Sequence, residues 1–341
     1  MNSDNYIYKQ FSELASPVLS EDKIERMRPF FDNLKDEFEE TFEFTKLQKE
    51  AISSSDFWEN ANHKLVLGST SSGKTLVAEM NMAYQIYCCE KKVLYLVPLK
   101  ALTTEKQKSF EKHFKGRDIY ISSSDYQEQD YELCNGNYDI GILVYEKLFA
   151  LLAQNNSRFL SSCSLIIIDE LHMLSMEERG PRLEFSLEKV RFKRSNPPDY
   201  PAFMGLTTSE CNASRVNKWW GEENTQIIQS DHRPIEIEER FVYCDFTMDK
   251  LEMRCFINGE EIKSAEFPVN PRYNVDELEF FQLCQVLEQH PEEHIIIHYP
   301  QLNRIKDLTF CCDEIWIFLD SHIFGICRHP DEWVQQISGF Q

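Results

Sequence analysis

The feature that most restricts the fold of this chain is a short loop rich in glycine and serine. The loop reads GSTSSGKT from Gly68 to Thr75 and matches G-x-x-x-x-G-K-[ST] in full. An apolar run precedes it and an amphipathic stretch follows it, which is the strand-to-helix context that this pattern needs. Gly68 and Gly73 allow backbone N–H groups to point at phosphate oxygens, and a following helix adds the positive end of its dipole. The loop therefore predicts a phosphate-binding α/β domain.

Two side chains at the end of this loop carry specific expectations. Lys74 is expected to reach the β- and γ-phosphates of ATP, and the Thr75 hydroxyl is expected to bind Mg²⁺. The alternative is a chance turn, which the flanking strand and helix patterns disfavour. The candidate ATP-binding residues of the loop are Gly68, Ser69, Thr70, Ser71, Ser72, Gly73, Lys74 and Thr75.

Short apolar runs alternate with helical stretches from about residue 44 to 230. This alternation predicts an α/β domain with a mostly parallel sheet and helices on both faces. The predicted strands are KLVLG (64–68), VLYLVP (93–98), DIYIS (118–122), DIGILV (139–144), SLIIID (164–169), AFMGLT (202–207) and TQIIQ (225–229). The predicted helices span 74–89, 101–114, 145–153, 181–193 and 212–220.

An acidic pair closes the most apolar of these strands. In IIIDELH (166–172), Asp169 follows the strand directly and is expected to hold Mg²⁺, while Glu170 is expected to orient and deprotonate the attacking water. An Asp-Glu pair after a strand could instead be an ordinary helix N-terminal charge. The phosphate loop favours hydrolysis, with Glu170, Asp169 and Lys74 as the catalytic candidates.

The charge balance limits the kinds of partner. The formal net charge of −21 disfavours a general nucleic-acid coat, because phosphate contacts come from Lys and Arg. Any nucleic-acid site must therefore be local. The eleven cysteines form no C-x-x-C pair, so reduced thiols are expected rather than a zinc site. The sequence shows neither a signal-peptide pattern nor an apolar run long enough for a bilayer, which predicts a cytoplasmic protein, or a nuclear one in a eukaryote, without a membrane partner.

GSTSSGKT and DELH together resemble motifs I and II of the superfamily 2 DExH-box helicases. In FTKLQKEAI (44–52), Gln48 matches the glutamine that contacts adenine in this family, although it could be an ordinary amide on a helix surface. VPLKAL (97–102) resembles a turn that meets the nucleic-acid backbone, with Pro98 and Lys100 as its marks, and SSSD (122–125) resembles a second such turn through Asp125. The resemblance implies single-stranded DNA or RNA as the partner.

Further segments resemble other motifs of the same family. VYEKL (144–148) is similar to a Thr-x-Glu-Lys-Leu turn but lacks the threonine. LTTSECN (206–212) resembles a Ser-Ala-Thr motif, and the resemblance implies that Thr207 and Ser209 link the ATP site to the strand track. His172 would couple the DELH box to this motif, or would simply be a packing histidine. Trp219 and Trp220 are expected in the core.

Three spacers point to the Ski-like group of these helicases. They are ERGPRLE (178–184), CNASRVNKWWG (211–221) and HRPIEIE (232–238). The resemblance spans about residues 40–240. The expected organisation is an acidic helical extension (1–43), a RecA-like domain (44–235), a β-rich linker and helix (236–290) and the truncated or degenerate start of a second RecA-like domain (291–341). In the extension, the helix is expected to start at Ser20.

The family motor needs a second RecA-like domain that supplies arginines to the phosphoryl group. HIIIHYP (294–300) resembles the first strand of such a domain, but no Gln-x-x-Gly-Arg-x-Gly-Arg stretch follows. Three interpretations stay open: a motor whose other half is a second chain or was lost, an ATP-binding switch without unwinding, and an inactive fragment.

Overall fold

The computed structural model describes most of the amino-terminal two-thirds of the chain and six strands beyond it. The described residues are 5–38, 41–69, 71–122, 127–154, 156, 158–177, 179–193, 201–208, 211–232, 240–246, 250–257, 260–268, 295–298, 314–319 and 322–327. The chain divides into two compact units, Met1–Glu236 and Ile237–Gln341. Each unit is described by itself.

Two amino-terminal helices open the first unit. Helix α1 spans Tyr6–Ala15, and the Asn5 side chain caps it by accepting hydrogen bonds from the backbone N–H groups of its first turn. Helix α2 spans Glu21–Leu34 and follows Ser20, as predicted. The apolar residues that recur at helical spacing along α2 are all buried: Ile24, Met27, Phe30, Phe31 and Leu34. The apolar stripe of α2 therefore faces the core.

A seven-stranded, entirely parallel sheet forms the centre of this unit and confirms the predicted α/β fold class. Its order is β3-β4-β2-β5-β6-β1-β7. The strands are β1 (His63–Gly68), β2 (Lys92–Val97), β3 (Ile119–Ser122), β4 (Ile140–Val144), β5 (Cys163–Ile168), β6 (Ala202–Thr207) and β7 (Thr225–Ser230). Each predicted strand is present within one residue at either end, because strands buried on both faces read as continuous apolar runs.

The helices lie between the strands, and four of the five predicted helices agree closely with the structure. The helices are α3 (Lys46–Ile52), α4 (Ser55–Trp58), α5 (Lys74–Ala83), α6 (Lys100–His113), α7 (Gln127–Asn135), α8 (Tyr145–Ala153), α9 (Gly180–Lys193) and α10 (Ala213–Trp220). The fifth, predicted over 74–89, ends as α5 and continues as a π-helical segment, Tyr84–Cys88. Helix α7 was not predicted, because its mostly polar sequence lacks a strong apolar stripe.

The sheet buries a hydrophobic cluster on each face. Along β1, Val66 faces the cluster that includes α1, α2, α3, α5 and α6, whereas Leu65 and Leu67 face the cluster that includes α8, α9 and α10. This alternation is the two-residue period of a strand. Trp220 is buried and Trp219 packs against the second cluster, so the expectation that both tryptophans belong to the core is confirmed.

The second unit contains two three-stranded sheets. An antiparallel meander joins β8 (Arg240–Phe246), β9 (Lys250–Ile257) and β10 (Glu260–Pro268). In the other sheet, β11 (Ile295–His298) pairs in parallel with β12 (Glu314–Leu319), which pairs antiparallel with β13 (His322–Cys327). The strand expected in HIIIHYP is present as β11. The helix expected at 275–289 lies outside the described residues.

Across the described ranges, no helix is long and apolar enough to cross a membrane, and no group of His, Cys, Asp and Glu has a metal-binding arrangement. Five cysteines whose side chains the structure describes are free thiols: Cys88, Cys89, Cys134, Cys163 and Cys211.

Candidate nucleotide site

The candidate site lies at the carboxyl edge of the sheet, where strands β1, β5 and β6 end side by side. β1 leads into the loop Gly68–Thr75, β5 leads into Asp169, and β6 ends between them at Thr207. Because all strands are parallel, the chain leaves each of them at the same edge. The sheet order therefore brings together two motifs that lie about a hundred residues apart in the sequence.

The loop has two residues in a left-handed backbone conformation and one position where a side chain would clash. Gly73 has a φ of 84°, and Ser71 has a φ of 65°, both in the left-handed region. A Cβ atom on Gly68 would lie 2.5 Å from the Ser72 hydroxyl, so that position has no room for a side chain. The loop thus needs glycine at both ends of its curve. Thr70 lies outside the described residues.

The loop also holds two buried hydroxyls that have no hydrogen-bond partner within the described structure. They are the Oγ atoms of Ser69 and Ser72. Buried polar atoms without partners are uncommon, because each loses its interaction with water. Their presence in a loop of this shape is what a phosphate-binding cradle would show, since phosphate oxygens accept hydrogen bonds from hydroxyl groups.

Gln48 supports this loop from helix α3. It forms a capping box with Thr45, whose backbone N–H donates to Gln48 Oε1 at 2.9 Å, and its Nε2 donates to the carbonyl of Gly73 at 3.2 Å. The Thr45 hydroxyl also donates to the Ser72 carbonyl, at 2.9 Å. Gln48 is only 3% exposed, so it is not a surface amide. The start of α3 therefore holds the phosphate loop directly.

Lys74 folds back onto the loop that precedes it. Its Nζ donates to the carbonyl oxygens of Gly68 at 2.9 Å and Ser69 at 2.8 Å. Burial lowers the pKa of Lys74, and the charges of Glu170 and Asp169 partly oppose this effect. The amine is therefore held inside the loop, next to the acidic strand end, where an anion could draw it away from the carbonyls.

Asp169 is surrounded by groups that the sequence motifs did not indicate. The Tyr95 hydroxyl donates to Asp169 Oδ2 at 2.9 Å, and Lys106 Nζ lies 3.8 Å from the same oxygen. The Tyr145 hydroxyl donates to the Asp169 carbonyl. Burial and the adjacent Asp169 charge raise the pKa of Tyr95, which keeps its hydroxyl protonated as a donor.

Magnesium is the metal implied by a phosphate loop, and the residues present fit it. Hard oxygen ligands are available from the Thr75 hydroxyl and the Asp169 carboxylate. The Lys106 ammonium lies 3.5 Å from Thr75 Oγ1 and 3.8 Å from Asp169 Oδ2, so a positive charge already occupies the space between these two oxygens. The ammonium occupies the place where a cation held by both oxygens would lie.

Glu170 adopts an unusual backbone conformation beside the carboxylate of Asp169. Its φ of 54° is left-handed, and its carboxylate lies 3.3 Å from the ring of His172. Thr207 is fully buried, and its hydroxyl has no hydrogen-bond partner within the described ranges. Ser209 lies outside those ranges. A direct bond between His172 and Thr207 is not recorded there, so their coupling stays a prediction.

One arginine joins the VPLKAL turn, which is expected to meet nucleic acid, to the VYEKL segment. Arg179 Nη1 donates to the Pro98 carbonyl at 3.1 Å, and its Nε lies 3.3 Å from Glu146 in the VYEKL turn. Lys100 is exposed at the start of α6. Asp125 lies outside the described residues. Arg179 stands in the ERGPRLE spacer, so sequence similarity marked its segment without indicating what it binds.

The fold and this site define a RecA-like P-loop domain: a parallel α/β sheet with a phosphate loop after one strand and an acidic pair after another. The family model described as DEAD/DEAH box helicase matches residues 45–209. This match confirms the expectation of a superfamily 2 helicase domain in that segment.

Individual relatives agree with the family match. The chain is 35% identical over 181 residues to an ATP-dependent DNA helicase Hel308 from Caldivirga maquilingensis. The matched segment covers 53% of this chain and 23% of the relative. The Hel308 of Pyrococcus abyssi is 32% identical over 183 residues, or 53% of this chain and 24% of the relative. The Hel308 of Methanocella arvoryzae is 34% identical over 203 residues, which are 57% of this chain and 26% of the relative. The matching segment thus spans about a quarter of each relative.

Proposed function

We propose that this chain is the ATPase half of a DExH-type nucleic-acid motor, which binds and hydrolyses ATP with Mg²⁺ while holding a single strand. The observation that carries the proposal is that Lys74 and Thr75, after β1, lie at the same edge of the sheet as the Asp169–Glu170 pair, after β5, with β6 between them. The Lys106 ammonium lies within 4 Å of both Thr75 and Asp169. The loop conformation and the unpartnered serine hydroxyls support it.

Each residue has a role that follows from its chemistry. The backbone N–H groups of the loop and the hydroxyls of Ser69 and Ser72 would bind phosphate oxygens. Lys74 would exchange its two carbonyl partners for the phosphates, a stronger charge-assisted interaction. Thr75 and Asp169 would hold Mg²⁺, which when bound neutralises charge on the phosphates. Glu170 would orient the attacking water and accept its proton.

The assignments around this core extend the proposal. Gln48 would contact adenine, Pro98, Lys100 and Asp125 would meet the strand backbone, and His172, Thr207 and Ser209 would couple the two sites. Both ends of the Gln48 amide are already bonded to Thr45 and Gly73, so its contact with adenine would be added to a structural role.

The kind of nucleic acid and the need for a second RecA-like half are proposed by similarity. The relatives are named as DNA helicases, which makes single-stranded DNA the first ligand to test, with RNA as the alternative. Membership of the Ski-like group rests on the three spacers. A second RecA-like half, supplied by another chain or by further sequence, would provide the arginines that stabilise the transferring phosphoryl group.

Nucleotide binding tests the proposal directly. Lys74→Ala should weaken binding of Mg²⁺ and a fluorescent ATP analogue by about a hundredfold, because it removes hydrogen bonds to a charged group. Lys91→Ala, an exposed lysine near the sheet's opposite edge, serves as the matched control and should bind as the unmodified chain does. An unmodified chain that does not bind nucleotide, or a Lys74→Ala variant that binds it normally, contradicts the proposal.

The second candidate is a clamp that uses ATP binding to hold a partner without unwinding. The net charge of −21 favours it, because this charge opposes extended contact with nucleic acid. Strand-displacement assays separate the two candidates: displacement by this chain together with a second-half partner supports the motor, whereas nucleotide-dependent binding without displacement supports the clamp.

A further inference from the structure

Lys106 lies in the nucleotide site although no motif includes it. It sits on helix α6, six residues after Lys100, and its side chain is only 14% exposed. Its ammonium lies 3.8 Å from Asp169 Oδ2 and 3.5 Å from Thr75 Oγ1, and 5.6 Å from the centre of the Tyr95 ring. All three neighbours line the position expected for the metal, so Lys106 faces the site rather than the solvent.

The surroundings explain why a lysine is favourable here. The Asp169 side chain is also only 14% exposed, and a carboxylate with little access to water is costly without a compensating positive charge. Tyr95 donates a hydrogen bond to the same carboxylate oxygen but brings no charge. Lys74, the other cation of the site, is engaged by two loop carbonyls. Among the residues that the structure describes, Lys106 is therefore the cation that forms an ion pair with Asp169.

The same position cannot hold an ammonium and a divalent cation together. Mg²⁺ binds oxygen at roughly 2.1 Å and keeps several waters, which would fill the space that the ammonium occupies. Two positive charges a few ångströms apart also repel one another strongly in a partly buried site. Binding of the metal must therefore move Lys106 away from Asp169.

We propose that Lys106 is an internal counter-ion that competes with Mg²⁺ for Asp169 and so sets how much Mg²⁺ the site needs. Lys106 is thus a positioning residue of the nucleotide site. This inference rests on the proposed function, because it requires that the loop binds Mg²⁺ with nucleotide. It differs from a phosphate-binding role, in which the lysine would strengthen nucleotide binding instead of opposing the metal.

The test is a Mg²⁺ titration of nucleotide binding, using a fluorescent ADP analogue at fixed concentration. Lys106→Met removes the charge and keeps most of the length of the side chain. We expect the Mg²⁺ concentration at half-maximal binding to fall about fivefold, the effect of removing a partly buried ion pair worth roughly 1 kcal/mol. Lys106→Arg keeps the charge and should stay close to the unmodified chain.

Two controls make the outcome clear. Lys108→Met changes an exposed lysine on the same helix and should leave the midpoint unchanged. Lys106→Gln provides a second uncharged variant if Lys106→Met fails to fold, as judged by circular dichroism. A midpoint that is unchanged or higher in the uncharged variants overturns the inference while the proposed function stands. An unmodified chain without Mg²⁺-dependent binding overturns both.

Discussion

The left-handed backbone of Glu170 places strain at the residue proposed to activate water. A non-glycine residue with a φ of 54° carries a steric cost of about 1–2 kcal/mol. Such strain persists where the surrounding structure fixes it, and here the backbone N–H of Glu170 donates to its neighbour's carboxylate, Asp169 Oδ1, at 3.1 Å. The left-handed conformation of Glu170 is therefore fixed by its hydrogen bond to the Asp169 carboxylate.

Substitutions at Glu170 should separate its chemistry from its backbone. Glu170→Gln should bind nucleotide normally but hydrolyse it at least about a hundredfold more slowly, because the amide cannot accept the proton. Glu170→Gly should be about 1 kcal/mol more stable to urea unfolding than Glu170→Ala, because glycine tolerates the left-handed conformation. Normal hydrolysis by Glu170→Gln, or equal stability of the other two variants, contradicts this account.

The site residues that the sequence reveals are those within contiguous motifs. Lys74 and Asp169 were predictable because their neighbours in sequence define their surroundings. Tyr95, Lys106 and Tyr145 were not, because each comes from a different strand or helix, and the sheet order brings them to Asp169. The sequence around a lysine in a helix does not indicate which groups its side chain will contact in the fold.

At the scale of elements, Arg179 joins the turn after β2 to the start of α8. Its guanidinium contacts the Pro98 carbonyl and Glu146, so it fixes the turn proposed to hold the strand against the first turn of that helix. Pre-organised binding groups bind more tightly because less freedom is lost on binding. The segment before α9 therefore acts as a brace at the proposed strand track.

Replacing this arginine should weaken strand binding without affecting nucleotide. For Arg179→Met we expect about fivefold lower affinity for a single-stranded oligonucleotide, equivalent to roughly 1 kcal/mol of lost pre-organisation. Fluorescence polarisation measures this affinity. Arg182→Met, at an exposed position of α9, controls for the loss of charge alone. Equal affinities of the two variants would show that Arg179 has no bracing role.

The helices and strands that were predicted most accurately are those that are most deeply buried. The central strands read as unbroken apolar runs, so their ends were clear. Helix α7 was missed because its polar sequence gives little periodic signal, and the π-helical end of α5 was missed because a change in backbone hydrogen bonding leaves no mark in residue type. In the second unit, strands β12 and β13 form within residues 291–341, for which the sequence analysis predicted no strand beyond HIIIHYP.

At the scale of the whole first unit, a buried histidine at the end of α6 ties that helix to α5 and to the turn that follows α2. His113 Nδ1 lies 2.7 Å from Glu79 and its Nε2 lies 2.8 Å from Glu37, which Lys112 also contacts. Burial would lower the pKa of His113, but the hydrogen bonds and charges of Glu79 and Glu37 outweigh it, and the pKa is raised. The protonated ring is therefore the form that holds the three elements.

Stability should depend on pH through this group. A raised histidine pKa contributes stability that is fully present below the unfolded pKa of about 6.5 and is lost as pH rises through the folded pKa. The gap in unfolding free energy between the unmodified chain and His113→Gln should thus be larger near pH 5.5 than near pH 8.5, as measured in urea. A gap that grows toward high pH contradicts the assignment.

The amino-terminal helices belong to the same hydrophobic core as the sheet, although the family match begins at residue 45. Phe31 is fully buried, and its ring stacks on Phe11 with centroids 4.2 Å apart. Phe31→Ala should lower the free energy of unfolding by about 3–5 kcal/mol. Phe192→Ala, at an 88% exposed position, should leave it nearly unchanged. Equal urea midpoints would place the helices outside the cooperative unit.

The position of Lys106 has a consequence for the order of events in a catalytic cycle. A competitor fixed to the chain is always present, at an effective concentration in the millimolar range or above, whatever the composition of the surrounding solution. On this proposal, the Lys106 ammonium would pair with Asp169 again when the metal leaves. This exchange would favour release of the spent nucleotide. After each turnover, the lysine would then restore the ion pair with Asp169 that is present in the nucleotide-free site.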